Sequence, residues 1–557
     1  MTAAATSTEP LGAAEKDRAP GSERAALRWA AIGAYALAVA LSLSALVVPR
    51  LAPCTDLPQH LAMIDVAARL LDPSAPEHAS HALEPVTFNG LLHLLAAPFA
   101  LVFGADFAGR ALTVLAALGL ALGVPALLAR LGRPVALAGL FVPFVFSFSL
   151  RWGFVNFVLG LAFAVVAMLA IVDLFERPTR RAWAIAAVLG QLCATAHVLS
   201  MLCLCLLGAS LAPELALRGS EGRPLAERLR LAVRRAAIAL SPILVGSAWC
   251  LRVYRRQYAY NPALHEASAR GDTGLELAKK FEELTSAAVT IDADPREHAV
   301  AALALVGAIT LALVGVGLRL ARRRVEPATT VRDAPVYGPF VAMSAAYVLA
   351  PPAFADAHLI YPRLVPLVVL GALAAAPRLE GFAARAAAVA SLAIALAAGG
   401  LVAECSRAYA ADTDALAELV DELPEGRRAA AIVHGGPTRG FAHNTLLHAA
   451  GHYAARKHGE LAFSFARYIA LPVHYRAGAA PPWPARGWEF SPRDYNPRCG
   501  YARSFDLALV RAPSPLFDEA DVRWLVFKGD AATPKLLGRR DAFWAFDTHG
   551  IPSDGTP

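Results

Sequence analysis

Apolar residues in this chain gather into runs about as long as a bilayer is thick, separated by short polar stretches rich in arginine. A helix that crosses hydrocarbon needs roughly 20 apolar residues. Trp29 to Val48 is the first such run. The tail before it, residues 1–26, is rich in Ala, Ser, Glu and Arg, too polar to bury a core, and is expected to be disordered. It has no short apolar core followed by a cleavage site, so the first run is read as an uncleaved helix. Further runs cover Phe107 to Ala129, Val135 to Leu150, Phe154 to Val172, Ala182 to Ala196 and Leu199 to Leu215. Others cover Ala236 to Leu251, Val300 to Leu318, Tyr337 to Ala353, Leu364 to Ala376 and Ala386 to Val402, which makes about eleven transmembrane helices.

The arginines order these spans. Arg18, Arg24 and Arg28 precede the first run, and cationic loops stay preferentially in the cytoplasm, so the N-terminus is placed there. With eleven crossings, Arg130 and Arg133, Arg177 to Arg181, Arg218 to Arg235, Arg319 to Arg324, and Arg378 with Arg385 all share that side. The segment Asn89 to Phe103 is apolar but short and interrupted by His93 and Pro98. It reads as an interfacial helix, because a twelfth crossing would move the Arg130 loop outside. A first external loop then spans residues 51–106 within a membrane domain of residues 27–403.

Composition agrees with this reading of the solvent. Hydrophobic residues make up 57% of the 557 and charged residues 17%, with mean hydropathy +0.46. The net charge of +7 does not indicate a nucleic-acid partner, because the arginines lie in short loops rather than in one basic domain. From residue 404 the pattern changes to more Gly, Pro, His and charge, without a spanning run. Residues 404–557 are expected to form an extracytoplasmic α/β domain. Its expected elements are strands at Ala429 to His434, Leu507 to Arg511 and Trp524 to Lys528, and a helix from Asn444 to His458.

Polar residues next to the spans supply the candidate chemistry. Thr55-Asp56-Leu57-Pro58-Gln59-His60 follows the first span within a few residues. Asp56 before Leu57-Pro58 also fits a helix N-cap with proline in the first turn. On a helix starting there, His60 shares a face with Asp56. Arg151, Trp152 and Asn156 lie in a turn between two spans with no room for a loop, where unpaired polar groups are costly. Trp152 fits an aromatic belt, and Arg151 can snorkel. His197 sits at the break between two later spans, where capping of that break is the reading preferred over lining the site, and Arg363 ends the loop that begins at Asp356. In the longer loop 252–298, Arg252, Arg255, Arg256, Tyr258 and Tyr260 run against the cytoplasmic preference of cations, as if meeting anionic groups.

One helix, a large external loop with an acidic residue just after it, an interfacial helix running into Gly104 to Arg110, a bundle of short-looped helices and a C-terminal external domain together resemble the GT-C superfamily of membrane glycosyltransferases. The chain looks most similar to bacterial members related to aminoarabinose and protein O-mannosyl transferases. The resemblance rests on the order of elements and on the place of Asp56. It implies a polyprenyl-phosphate sugar donor, a lipid, glycan or protein acceptor, and inverting transfer outside a bacterial-type plasma membrane. It implies Asp56 as general base, a role that partial desolvation of a carboxylate favours. His60, Arg151, Asn156, His197 and Arg363 would then bind substrate, with Arg363 near the donor phosphate.

Other readings stand beside it. A multi-pass transporter or lipid-handling protein should place ionisable or broken-helix features near mid-membrane, whereas the candidate polar residues here cluster at the outer face, and the missing second acidic motif leaves a non-catalytic envelope scaffold open. No cofactor is called for. A divalent metal is left open by His448 with His452 at helical spacing, by Asp56 with His60, and by Asp292 with Asp294, each pair too small to define a site. Cys54 and Cys499 share the external side, with Cys405 as a competing partner for a disulfide.

Overall fold

The computed structural model describes residues 20–551, apart from 219, 221, 261–276, 290–294, 323–335, 352, 355, 356, 442, 469, 470, 483–486, 500, 529–533 and 550. Helix α1 (Pro20–Val47) starts earlier than expected, taking residues 20–26 out of the disordered tail. Residues 1–19 lie outside the described residues. The extension follows from Ala25 and Ala26, which let a helix nucleated in the apolar run propagate toward the N-terminus.

After α1 come α2 (Leu57–Arg69), α3 (Leu91–Phe103) and α4 (Ala105–Arg130). The short α5 (Phe148–Arg151) leads into α6 (Val155–Glu176), α7 (Arg180–Ala196), α8 (Val198–Ala216) and α9 (Leu225–Tyr260). Next are α10 (Leu277–Val289), α11 (Pro295–Arg322), α12 (Gly338–Leu349), α13 (Val365–Ala375) and α14 (Gly381–Glu422). Among the described residues, seven of these, rather than eleven, are long and apolar enough to cross a membrane. The protein is a polytopic membrane protein with seven candidate spans: α1, α4, α6, α8, α9, α11 and α14.

The four runs that fail share a physical cause. Val135–Phe144 is a 3-10 segment with Pro143 inside it, and α12 and α13 have only 12 and 11 residues. Eleven residues rise about 17 Å, little more than half of the ~30 Å hydrocarbon thickness. All of α13 is buried. Its apolar composition reflects a place inside the protein rather than contact with lipid. Helix α7 has 17 residues and begins with two arginines. Helix α3, at 13 residues, is too short to cross, as expected, and Gly104 at φ +81° separates it from α4.

The division expected at residue 404 does not exist in the backbone. Helix α14 runs unbroken for 42 residues and carries Leu416, Leu419 and Val420 into the core of the C-terminal sheet. Two short ladders lie outside that sheet: β1 (His81–Leu83), and the hairpin of β2 (Ala353–Phe354) and β3 (Ala357–His358). The sheet itself contains β4 (Arg428–Val433) and, after α15 (Ala450–Lys457), β5 (Glu460–Leu461). Strand β6 (Val473–Tyr475) leaves it, and β7 (Leu507–Arg511) returns. Helix α16 (Glu519–Phe527), β8 (Lys535–Arg540) and β9 (Phe543–Asp547) complete the domain.

The strand order is β5-β4-β7-β9-β8, with β4 parallel to both neighbours and the last two strands antiparallel. Alternate residues of β4 face opposite ways. Ala429, Ala431 and Val433 meet α14 and α15, while Ala430 and Ile432 meet Trp488, Tyr495 and Phe527. The expected strands at residues 429 and 507 are present, but Trp524 lies in α16. There Asp518 and Asp521 form a reciprocal capping box that starts a helix. Strand β6 pairs antiparallel with β1, setting His81 opposite Tyr475, and thereby ties the C-terminal region to the first loop.

Candidate active site where the first loop meets the C-terminal region

Asp56 occupies the N-cap of α2, with Pro58 in the first turn, but its carboxylate makes no capping bond. Its backbone is held instead by the turn after α5. The Thr55 N–H donates to the Arg151 carbonyl and the Asp56 N–H to the Trp152 carbonyl, both at 2.9 Å. Gly153 makes this fit possible. Its φ is +83°, and a Cβ there would lie 2.6 Å from the Leu57 nitrogen. From the other side, Gly451 of α15 packs on Pro58, where a Cβ would stand 2.6 Å from backbone. Gln59 accepts from the Phe465 N–H and donates to the Phe463 carbonyl. Asp56 is thus fixed by the bundle and by the C-terminal region together.

The C-terminal region adds a second carboxylate and an imidazole. His448 Nε2 lies 3.5 Å from Asp56 Oδ1, and His448 Nδ1 lies 2.6 Å from Glu489 Oε2. The imidazole stacks on Phe463 with centroids 5.1 Å apart and meets the edges of Phe465 and Phe490. Burial works against a charge on His448, but Glu489 and Asp56 outweigh it and push its pKa up to about 9. At neutral pH His448 is therefore an imidazolium between two carboxylates. The side chains of His448 and Glu489 are each 2% exposed and that of Asp56 17%, so Asp56 is the member a substrate can reach.

Arg363 is buried, stacks 3.5 Å over the Phe154 ring and donates Nε–H to the Leu359 carbonyl. Asp56 is the carboxylate acting on it electrostatically. Leu359 has φ +58°, a conformation that costs a bulky side chain about 1–3 kcal/mol and persists where the surroundings impose it. His60 is one turn past Asp56, as expected, but its Nδ1 lies 3.1 Å from His93 Nε2. His93 Nδ1 in turn meets the Asn89 carbonyl, which only accepts. In the neutral pair His93 then carries its proton on Nδ1 and accepts from His60, whose Nε2 remains a lone-pair acceptor. Burial brings the His60 pKa down to about 4.

His197 caps α8, its Nδ1 accepting from the Leu199 N–H at 3.1 Å, and its ring meets the edge of Phe157. It also lies within electrostatic reach of Arg363 and His60. Asn156, in the first turn of α6, is buried with neither amide atom hydrogen-bonded. Arg151 is buried with Nε unpartnered, and the carboxylate acting on it electrostatically is Glu297 rather than Asp56. The structure therefore gathers Asp56, His60, His197 and Arg363 around one end of the bundle. Arg151 serves this centre through its carbonyl.

His448 and His452 do not form the expected helical pair. Helix α15 begins only at Ala450, so His448 lies in the preceding turn, and both ring nitrogens of the buried His452 lack a partner. No group of three or more potential ligands is placed to hold a metal ion among the described residues. Asp292, Asp294, Asp356 and the side chains of Tyr258 and Tyr260 lie outside the described residues. Cys54, Cys405 and Cys499 are free thiols, so the disulfide is not formed. Glu489 carried no recognisable signal beyond being a lone acid in Trp488-Glu489-Phe490. No family model and no curated protein matches the chain.

Proposed function

We propose that this membrane protein is a glycosyltransferase that moves a sugar from a polyprenyl-phosphate donor to a lipid, glycan or protein acceptor, at the bundle end that carries the C-terminal domain. The reading takes that end as extracytoplasmic and the membrane as a bacterial-type plasma membrane. One observation carries it: a carboxylate freed from helix capping, reachable by substrate, and set between a protonated histidine and a buried arginine. In the reaction the acceptor oxygen attacks the anomeric carbon, the bond from that carbon to the phosphate oxygen breaks, and polyprenyl phosphate leaves. Asp56 orients the acceptor hydroxyl and takes its proton as the new bond forms. Arg363 balances the charge that grows on the departing phosphate, and Asn156 and His197 offer N–H donors beside it.

The rival transporter reading meets a difficulty in the spans. Four buried hydroxyls there turn back on their own helices, Ser42 to the Ala38 carbonyl, Thr113 to Gly109, Ser391 to Ala387 and Ser406 to Val402, and Ser200 is taken up by the Phe157 carbonyl of the neighbouring helix. Such groups offer little to a passing solute. The test is release of polyprenyl phosphate by the purified protein in lipid, across a panel of polyprenyl-phosphate sugars with mixed acceptors. Release with one donor is the expected result; a panel without release, in protein that moves intact donor across the bilayer, would turn the assignment to transport.

A further inference from the structure

A cleft of about 530 Å³ opens between α2, β1 and the β4–β5 edge of the C-terminal sheet, on the far side of the 463–466 segment from Asp56. The segment alternates: Phe463 and Phe465 pack on the His448 ring, while Ser464 and Ala466 line the cleft. Both compartments therefore share one wall, which Gln59 ties to α2. The volume falls within the range of small-ligand sites.

The chemistry of the walls narrows the ligand. Arg69 is paired with Glu77 and, at 2.9 Å, with Asp65; Arg428 is paired with Glu460 at 2.7 Å. Each cation in these pairs already has its anion, so a charged ligand would have to displace a partner and would meet its own sign close by. What the pairs present is an alternation of N–H donors and carboxylate acceptors, the requirement for binding hydroxyl groups, which both donate and accept. Arg69 Nε is buried without a partner. Burial brings the His81 pKa down to about 4, so this ring is neutral, and it lies 4.4 Å from the Tyr475 ring. Met63, Leu461 and Val473 form an apolar floor. A sugar ring has both kinds of surface, C–H faces and a hydroxyl rim.

We propose that this cleft binds a neutral carbohydrate, the part of a glycan acceptor remote from the reacting hydroxyl. The word acceptor rests on the transferase reading above; the binding itself does not. Ala62, at the cleft, is six residues beyond Asp56 on α2, on the order of 9 Å along the axis. A ligand that occupies the cleft and also reaches Asp56 is longer than one sugar ring.

The test is titration of the full chain in lipid nanodiscs with neutral tetrasaccharides of glucose, mannose, galactose and N-acetylglucosamine, beside oligogalacturonate and oligoglucosamine as charged probes. At least one neutral tetramer should saturate the protein below about 10 mM. Arg428→Ala and Tyr475→Ala should each weaken it about tenfold. Arg428 is largely exposed, with 51% of its side chain accessible, so its variant is expected to fold. Absence of saturable binding by every neutral probe, tighter binding of a charged one, or indifference to both cleft substitutions would overturn the proposal. Binding without transfer would sink the enzymatic reading and leave this one standing.

Discussion

Arg133 and Arg151 flank one apolar segment and are buried to the same degree, each 3% exposed. Their surroundings differ. Arg133 donates Nε–H to the Leu131 carbonyl at 3.0 Å and Nη1–H to the Ala376 carbonyl at 2.9 Å, closing two chain ends. Arg151 leaves Nε unpartnered, and along the same stretch of chain the Ser149 hydroxyl and the Asn156 amide are unpartnered too. A buried donor without an acceptor costs about 1–3 kcal/mol, so three such groups within eight residues amount to a considerable penalty. The first end of the segment is built for stability. The second tolerates a loss that a substrate can recover, which is the usual mark of a binding surface.

The comparison can be broken most strongly at His448. His448→Gln leaves Glu489 as an uncompensated buried carboxylate and should cost about 3–5 kcal/mol. Because the His448 pKa is raised to about 9, its contribution is fully present below the unfolded value near 6.5 and is lost as pH rises through 9. Melting temperatures of wild type and variant, measured from about pH 6 to pH 10, should therefore converge at the alkaline end; a constant gap would contradict the ion pairs.

Arg133→Met should come next in stability, at about 2–4 kcal/mol, by stranding two carbonyls. Arg151→Met should cost less stability than Arg133→Met, because Arg151 Nε holds no acceptor that the change would strand. Equal melting losses would erase the distinction between the two arginines. Gly153→Ala should destabilise by at least about 2 kcal/mol, since it adds left-handed strain to a backbone clash. The smallest effect has the opposite sign. Asn156→Leu replaces two unpartnered polar atoms with hydrocarbon and should raise stability by about 1 kcal/mol while lowering transfer. A less stable variant would mean that the amide is satisfied in the folded protein.

The membrane character of the chain and its major helices were legible because lipid demands long apolar runs. The number of spans was not, since α13 and a lipid-facing helix are equally apolar along their length, and only their 11 and roughly 20 residues tell them apart. Within the C-terminal region the short unbroken apolar run at residues 429–433 identified β4. Trp524-Leu525-Val526 looked like a strand although the Asp518–Asp521 capping box upstream was already in the chain. Asp56 and Arg363 were found from their places beside the spans. His448 was noticed for the wrong reason, its spacing to His452, and Glu489 not at all. Their association with Asp56 depends on contacts between residues some 390 to 430 positions apart, such as Gly451 on Pro58 and β6 on β1, and no local periodicity encodes those.

The most direct test of the account is the rate of sugar transfer by Asp56→Asn beside wild type, in lipid, with the melting temperatures of both recorded. The account predicts a folded variant whose turnover falls by about 10²–10⁴, the contribution of a positioned acid or base. A folded Asp56→Asn protein that transfers sugar at the wild-type rate would contradict it.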